Sequence, residues 1–172
     1  MKIESERLRF RRYQDRDFPF LHAMAADPET MKYIGNGDTR DRDGALRFLY
    51  WVYQGYKDDP QSGLLVLERK SDGKPVGHAG LVPQNVDGAD EWEIGYWIAK
   101  EYWSQGYATE AAQALRDYAF DKLGKERLVS LIHPDNGGSQ KVAENCGMNL
   151  EKKTLLTGRV AYVYAMEREE WL

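Results

Sequence analysis

Ser104-Gln105-Gly106-Tyr107-Ala108-Thr109 is small and polar and stands directly ahead of a helical pattern, an arrangement suited to holding an anion. The first N–H groups of a helix have no partner inside it, and the helix dipole places positive potential at the same end. Gly106 lets the backbone approach a phosphate without a Cβ in the way, and Ala108 is nearly as small. A single glycine ahead of a helix also serves as an ordinary turn residue, so the hexapeptide alone leaves both readings open. Neither Gly-Lys-Ser/Thr nor a GxGxxG after a strand is present, which points to a phosphate carrier other than a P-loop or dinucleotide ligand. His22, His78 and His133 are too scattered to suggest a metal site. Cys146 precedes a helix-ending glycine, where a buried and inert thiol is expected rather than a nucleophile.

The elements that must position this loop follow from periodicity. Glu91 to Ile98 alternates acidic or small residues with bulky ones, as a strand with one buried face does. From Thr109 the period lengthens, with Ala112, Leu115 and Ala119 at i, i+3 and i+7 of an amphipathic helix. Earlier in the chain, Arg7 to Tyr13 alternates like a strand wet on one face, and its arginines need bind nothing. Asp17 with Pro19 reads as a cap and a first-turn proline of a helix ending near Asp27-Pro28. Ala45, Leu49, Val52 and Tyr56 mark a second helix, whose further aromatics can line either the core or a cleft.

Leu64 to Glu68 and Val76 to Val82 form a hairpin about Ser71-Asp72-Gly73-Lys74, and a second hairpin loop is expected at Asp87-Gly88-Ala89-Asp90. Leu128 to Ile132 is a buried strand and Ser139 to Asn145 a short helix. Leu155-Leu156 and Val160 to Met166 make a closing hairpin. The order β, α, α, β, β, β, α, β, α, β, β predicts an α+β fold, a mostly antiparallel sheet with helices packed on it.

At 172 residues, with 42% hydrophobic and 30% charged, the chain is expected to fold as one domain over residues 1–172, with no run long enough to span a bilayer. A charged N-terminus and a sole cysteine favour the cytoplasm. The net charge of −4 argues against nucleic-acid binding. Either a monomer or a homodimer is compatible with the exposed aromatic residues.

The sequence resembles the GNAT superfamily of acetyl-CoA-dependent N-acetyltransferases, in the branch that includes the ribosomal-protein N-terminal acetyltransferases. The likeness runs through Ser5-Glu6-Arg7-Leu8-Arg9, Met31 to Gly35, Gly77 to Gly80 and Glu93 to Ile98. It is most specific in Tyr102 to Ala111, then in Asn136-Gly137-Gly138-Ser139 and Asn145 to Met148. It implies a three-layer fold with a mixed sheet, helices on both faces, and a splayed pair of strands ending near Ile98 and Ile132. The gap would hold the pantetheine arm of acetyl-CoA, paired with backbone near Trp97, Ile98 and Ala99. The pyrophosphate would lie on the amides of Ser104, Gln105, Gly106, Tyr107, Ala108 and Thr109, with Asn136 binding pantetheine or ordering its turn. The family usually has Arg or Gln where Trp103 stands and Gly at Ser104.

An amine attacks a thioester only as the neutral base, so something must take its proton. The resemblance makes Glu93 the candidate general base, provided burial raises its pKa, with Glu91 in reserve; a plain solvated strand glutamate is the other reading. Ser139 is the candidate proton donor to the leaving CoA thiolate, compatible with a cap role, because the position where many relatives carry Tyr is Ala143. A backbone N–H near Ile98 would polarise the carbonyl. Tyr33, Trp51, Trp92 and Tyr96 are candidates for enclosing the acceptor amine, either a protein N-terminus or a small molecule. The expected activity is acetyl transfer by direct attack in a ternary complex. A non-catalytic acyl-CoA sensor that keeps the groove is the alternative.

Overall fold

The computed structural model describes residues 2–171. Seven strands form one sheet: β1 Leu8–Arg12, β2 Gly63–Arg69, β3 Pro75–Val86, β4 Ala89–Ile98, β5 Arg127–Ile132, β6 Asn149–Leu156 and β7 Arg159–Glu167. Their spatial order is β1-β2-β3-β4-β5-β7-β6. Every neighbouring pair is antiparallel except β4 and β5, which run parallel and meet in register only at Glu93 and Val129. The helices are α1 Phe18–Ala26, α2 Pro28–Met31, α3 Arg42–Asp58, α4 Tyr107–Asp121, α5 Gly137–Asn145 and α6 Arg168–Trp171. None is long and apolar enough to cross a membrane among the described residues.

Consecutive residues of a strand face opposite sides of a sheet. On β4, Trp97 stacks on Phe48 of α3 with ring centres 4.6 Å apart, whereas the hydroxyl of neighbouring Tyr96 reaches Ser139 of α5. Helix α3 therefore covers one face and α5 the other, giving the expected three-layer α+β architecture. The apolar positions that set the helical period are the buried ones: Ala45, Leu49, Val52 and Tyr56 on α3, and Ala112, Leu115 and Ala119 on α4. They close over the apolar strands β2 and β3, where Val66, Leu67, Val76 and Ala79 have no exposed surface.

Several local details differ from the sequence-based expectation. The loop at Asp87 is a two-residue turn with φ of 52° at Asp87 and 86° at Gly88, so the flanking residues extend the ladder and β3 runs on to Val86. Asp17 does not cap α1 with its side chain. Its carboxylate takes two hydrogen bonds of 2.7 Å from Arg11, whose Nε also pairs with Glu68 at 2.8 Å, so an arginine of the first strand has a fixed partner. Arg127, at the start of β5, reaches Glu91 (2.8 Å), Glu151 (2.5 Å) and Glu167 (2.9 Å), tying β4, β5, β6 and β7 together at one end. Glu91 is thereby committed to an ion pair and is withdrawn as a reserve base.

Candidate active site

Above Glu93 and Val129 the main-chain ladder between β4 and β5 stops, and side chains take its place. Ser130 Oγ donates to the Ile94 carbonyl at 3.2 Å, and the Leu131 N–H donates to Glu93 Oε2 at 3.3 Å. Beyond them the strands part around a cleft of ≈ 1140 Å³. Which backbone groups face it follows from alternation. The Ala99 N–H donates to Val76 O at 2.9 Å, so Ala99 and Trp97 turn their main-chain groups to β3 and those of Ile98 and Tyr96 face the gap. The main-chain groups open to the gap are those of Ile98 and Tyr96, whereas those of Trp97 and Ala99, expected there from the resemblance, are turned to β3. The Ile98 carbonyl also accepts from Trp103 Nε1 at 2.7 Å, the task of the tryptophan that departs from the family pattern.

At one end of the cleft α4 begins at Tyr107, two residues earlier than its apolar period indicates, with Gly106 at the cap in a left-handed conformation (φ 83°). The first bond of the helix runs from the Glu110 N–H to Gly106 O. Among the described residues nothing accepts from the N–H groups of Ser104 to Thr109, and no side chain caps the helix. Ser104, Gly106, Tyr107, Ala108 and Thr109 border the cleft; Gln105 does not, its amide lying 3.5 Å from Glu101 O. Ser104 adopts φ of 63°, a strained conformation for a serine at the place where the family has glycine. Glu110, which would repel an anion, is neutralised from outside the motif: Arg7 Nε meets one oxygen at 2.7 Å, and the Arg7 N–H and the Ser5 hydroxyl meet the other.

Glu93 lies at the apex of the split. Gln84 Nε2 donates to its Oε1 at 2.9 Å, on the far side from Leu131. Burial lifts the carboxyl to about 7, although both hydrogen bonds favour the charged form, so desolvation outweighs them. On the opposite face, Ser139 Oγ accepts from the Tyr96 hydroxyl at 2.9 Å and from Asn136 Nδ2 at 3.0 Å. Both lone pairs are used, so the hydrogen left to give is the serine's own. Burial pushes the Tyr96 phenol up to about 12, keeping it a donor. The cap of α5 is Asn136, whose Oδ1 accepts from the Ser139 N–H at 3.1 Å, rather than Ser139.

Of the residues expected around an acceptor, Tyr33 and Trp51 line the cleft, as does Tyr96 with its hydroxyl committed to Ser139. Trp92 does not; it lies in a shallow depression with Pro83 and Gln84, the Lys125 ammonium 3.9 Å from its ring centre. His78 is fully buried and pushed down to about 3 by desolvation, hence neutral, with the Tyr13 hydroxyl 2.5 Å from Nδ1. Burial raises the Cys146 thiol to about 11, so it stays protonated. No cluster of three or more His, Cys, Asp or Glu suited to a metal occurs among the described residues. The role of Gln84 was missed, yet the turn at Asp87-Gly88 sets a register that puts Gln84 diagonally across from Glu93 on the same face.

The sequence model of the acetyltransferase (GNAT) domain matches residues 7–149. The chain belongs to the GNAT acetyltransferase family. Like that family's members, the enzyme is an N-acetyltransferase. YkkB of Bacillus subtilis is 34% identical over 152 residues, covering 88% of this chain and 87% of the relative. A GNAT-family acetyltransferase from Bacillus anthracis superposes with a TM-score of 0.82 at 27% identity, covering 98% of this chain and 99% of that one. The same fold recurs in RimL, a ribosomal L7/L12 α-N-protein acetyltransferase solved with coenzyme A, with a TM-score of 0.79 at 17% identity over 97% and 98% of the two chains.

Proposed function

We propose that this GNAT enzyme transfers the acetyl group of acetyl-CoA to a primary amine, a protein N-terminus or a small molecule, by direct attack in a ternary complex. The observation that carries the reading is the pairing, across one split in the sheet, of a half-buried carboxyl, held by Gln84 and the Leu131 N–H and raised by desolvation to about 7, with a hydroxyl that has one hydrogen to give. The groups present fit acetyl-CoA: the five free amides of Ser104, Gly106, Tyr107, Ala108 and Thr109 that border the cleft, at a helix N-terminus, suit a pyrophosphate, and the open edge at Tyr96 and Ile98 suits an extended arm bearing amides. When bound, acetyl-CoA supplies the activated acyl group.

Everything else falls to the chain. Glu93 accepts the proton of the attacking amine, directly or through a water, because its carboxyl is half ionised at pH 7 and desolvated enough to want the proton back. The Ile98 N–H, on the cleft side of β4, donates to the oxygen on which negative charge develops. Ser139, oriented by Tyr96 and Asn136, donates to the departing thiolate. Calorimetry with acetyl-CoA, followed by a thiol-release assay across peptides and small amines, tests the proposal. Binding with amine-dependent release of CoA is expected. Binding with no release for any amine counts against Glu93 and Ser139 as catalytic groups, and no binding removes the assignment of the Ser104 to Thr109 amides.

A further inference from the structure

We infer that the acceptor amine carries a carboxylate, and that Arg40 binds it. The inference rests on the acetyl-transfer reading and concerns the side of the cleft away from the phosphate loop. Arg40 lines the cleft, with its guanidinium carbon 5.2 Å from the centre of the Phe48 ring. Its Nε is buried without an acceptor, and neither terminal nitrogen has one among the described residues. Among the described residues no carboxylate lies within salt-bridge distance of it, whereas Arg7, Arg11, Arg69, Arg116 and Arg127 are each ion-paired, and Arg40 differs from the other unpaired arginines in having its Nε buried without an acceptor. A guanidinium whose stem is desolvated and whose fork is open is built for a planar oxyanion.

Its position separates it from the cofactor's phosphates. Phe48, under Arg40, stacks on Trp97, and Trp97 shares its face of β4 with Glu93, with only Gly95 between them. The phosphate loop and Ser139 belong to α4 and α5, on the other face. The charges on the acceptor side are one-sided as well. Lys32, Arg40 and Arg159 border the cleft; of the carboxylates there, Glu29 is held by Lys100 at 2.8 Å and Glu93 is half protonated near pH 7. A simple alkylammonium would be repelled from such a wall. An acceptor with its own carboxylate is drawn in, and the same positive potential favours the neutral form of its amine.

The test is a matched panel in the thiol-release assay: free amino acids of increasing length between amine and carboxylate, each against its primary amide. Amidated hexapeptides with Asp or Asn second are added to distinguish a small molecule from an acidic peptide. For at least one pair the carboxylate should be preferred by about 10- to 100-fold in kcat/KM, carried by KM, as expected for charge-assisted hydrogen bonds. Arg40→Gln should abolish that preference while amide rates and acetyl-CoA affinity stay within about twofold, and Arg40→Lys should keep part of it. A calorimetric comparison of the N-acetylated acids and amides on the CoA-bound enzyme decides the matter without turnover. Equal handling of acid and amide in both assays overturns the inference. So does an Arg40→Gln variant that weakens acid and amide alike, or that loses acetyl-CoA affinity instead. Acetyl-CoA binding with no release from any amine counts against acetyl transfer, and the binding arm still judges Arg40.

Discussion

Replacing Glu93 by Gln removes a titrating group while leaving its surroundings a workable hydrogen-bond pattern. The Leu131 N–H can still donate to the new amide oxygen, and Gln84 can turn its own amide to accept from the new NH₂ group. Two consequences follow from a carboxyl at about 7 rather than 4.5. In catalysis, general-base assistance is worth roughly 10²- to 10⁴-fold, so kcat should fall by that order with acetyl-CoA affinity unchanged. The wild-type to variant rate ratio should rise about tenfold per pH unit below pH 7 and level off above it; taking the ratio cancels the titration of the acceptor amine itself.

In stability the sign is reversed from the usual carboxylate. Because the folded state holds this proton more tightly than the unfolded chain, ionising Glu93 destabilises the fold as pH rises from about 4.5 to about 7. At about 1.4 kcal/mol for each factor of ten, the penalty at pH 8 is about 3 kcal/mol, reduced by whatever water the cleft admits. The variant should therefore be more stable than wild type by about 2 kcal/mol in urea denaturation at pH 8 and no more stable at pH 4. A rate ratio that is flat between pH 6 and 8, together with a stability difference independent of pH, would refute the reasoning, since both effects derive from the same desolvated carboxyl.

Gly106→Val puts a β-branched residue at φ 83° beside Arg7 Nη2, 3.3 Å from its Cβ, and fills the cradle; calorimetry should show acetyl-CoA affinity lower by at least about 100-fold, at a stability cost of about 1–3 kcal/mol. Ser139→Ala should lower kcat by roughly 10- to 100-fold with acetyl-CoA affinity retained, and Tyr96→Phe should do the same to a lesser degree, readable in single-turnover thiol release; an unchanged rate in both removes Ser139 from the mechanism. Arg127→Met strands three carboxylates at the closed end of the split and should cost about 1–3 kcal/mol in chemical denaturation at pH 7. Glu151 is held below its ordinary value by Arg127, so this loss should shrink as the pH falls through the carboxylate range. A pH-independent loss would mean that Arg127 acts through packing.

Local residue types were enough to place the longer helices and to find the strands, though not the one-turn helices α2 and α6 nor the start of β6 at Asn149, because apolar period is written directly in the chain: 2 along β4, and 3.6 along α3 and α4. The loop of unpaired amides ahead of α4 was legible for the same reason, since a small, polar run with a glycine directly before a helical period leaves consecutive N–H groups without partners. What the sequence could not decide were properties created by neighbours distant in the chain. Glu93 reads as an ordinary strand glutamate until β5 pairs beside it at Val129 and the packed layers desolvate its carboxyl. Trp92 and Tyr96 look alike as acceptor aromatics until α4 and α5 pack down. Tyr96 then gives its hydroxyl to Ser139, and Trp92 is left outside the cleft under Lys125. Arg40 carries no local signal at all, because an arginine in a loop is marked only by the partner it lacks, and which partners are within reach is settled by the fold. Hydrophobic period is a property of adjacent residues, whereas desolvation and electrostatic pairing depend on distances in space, and those exist only once the layers have closed.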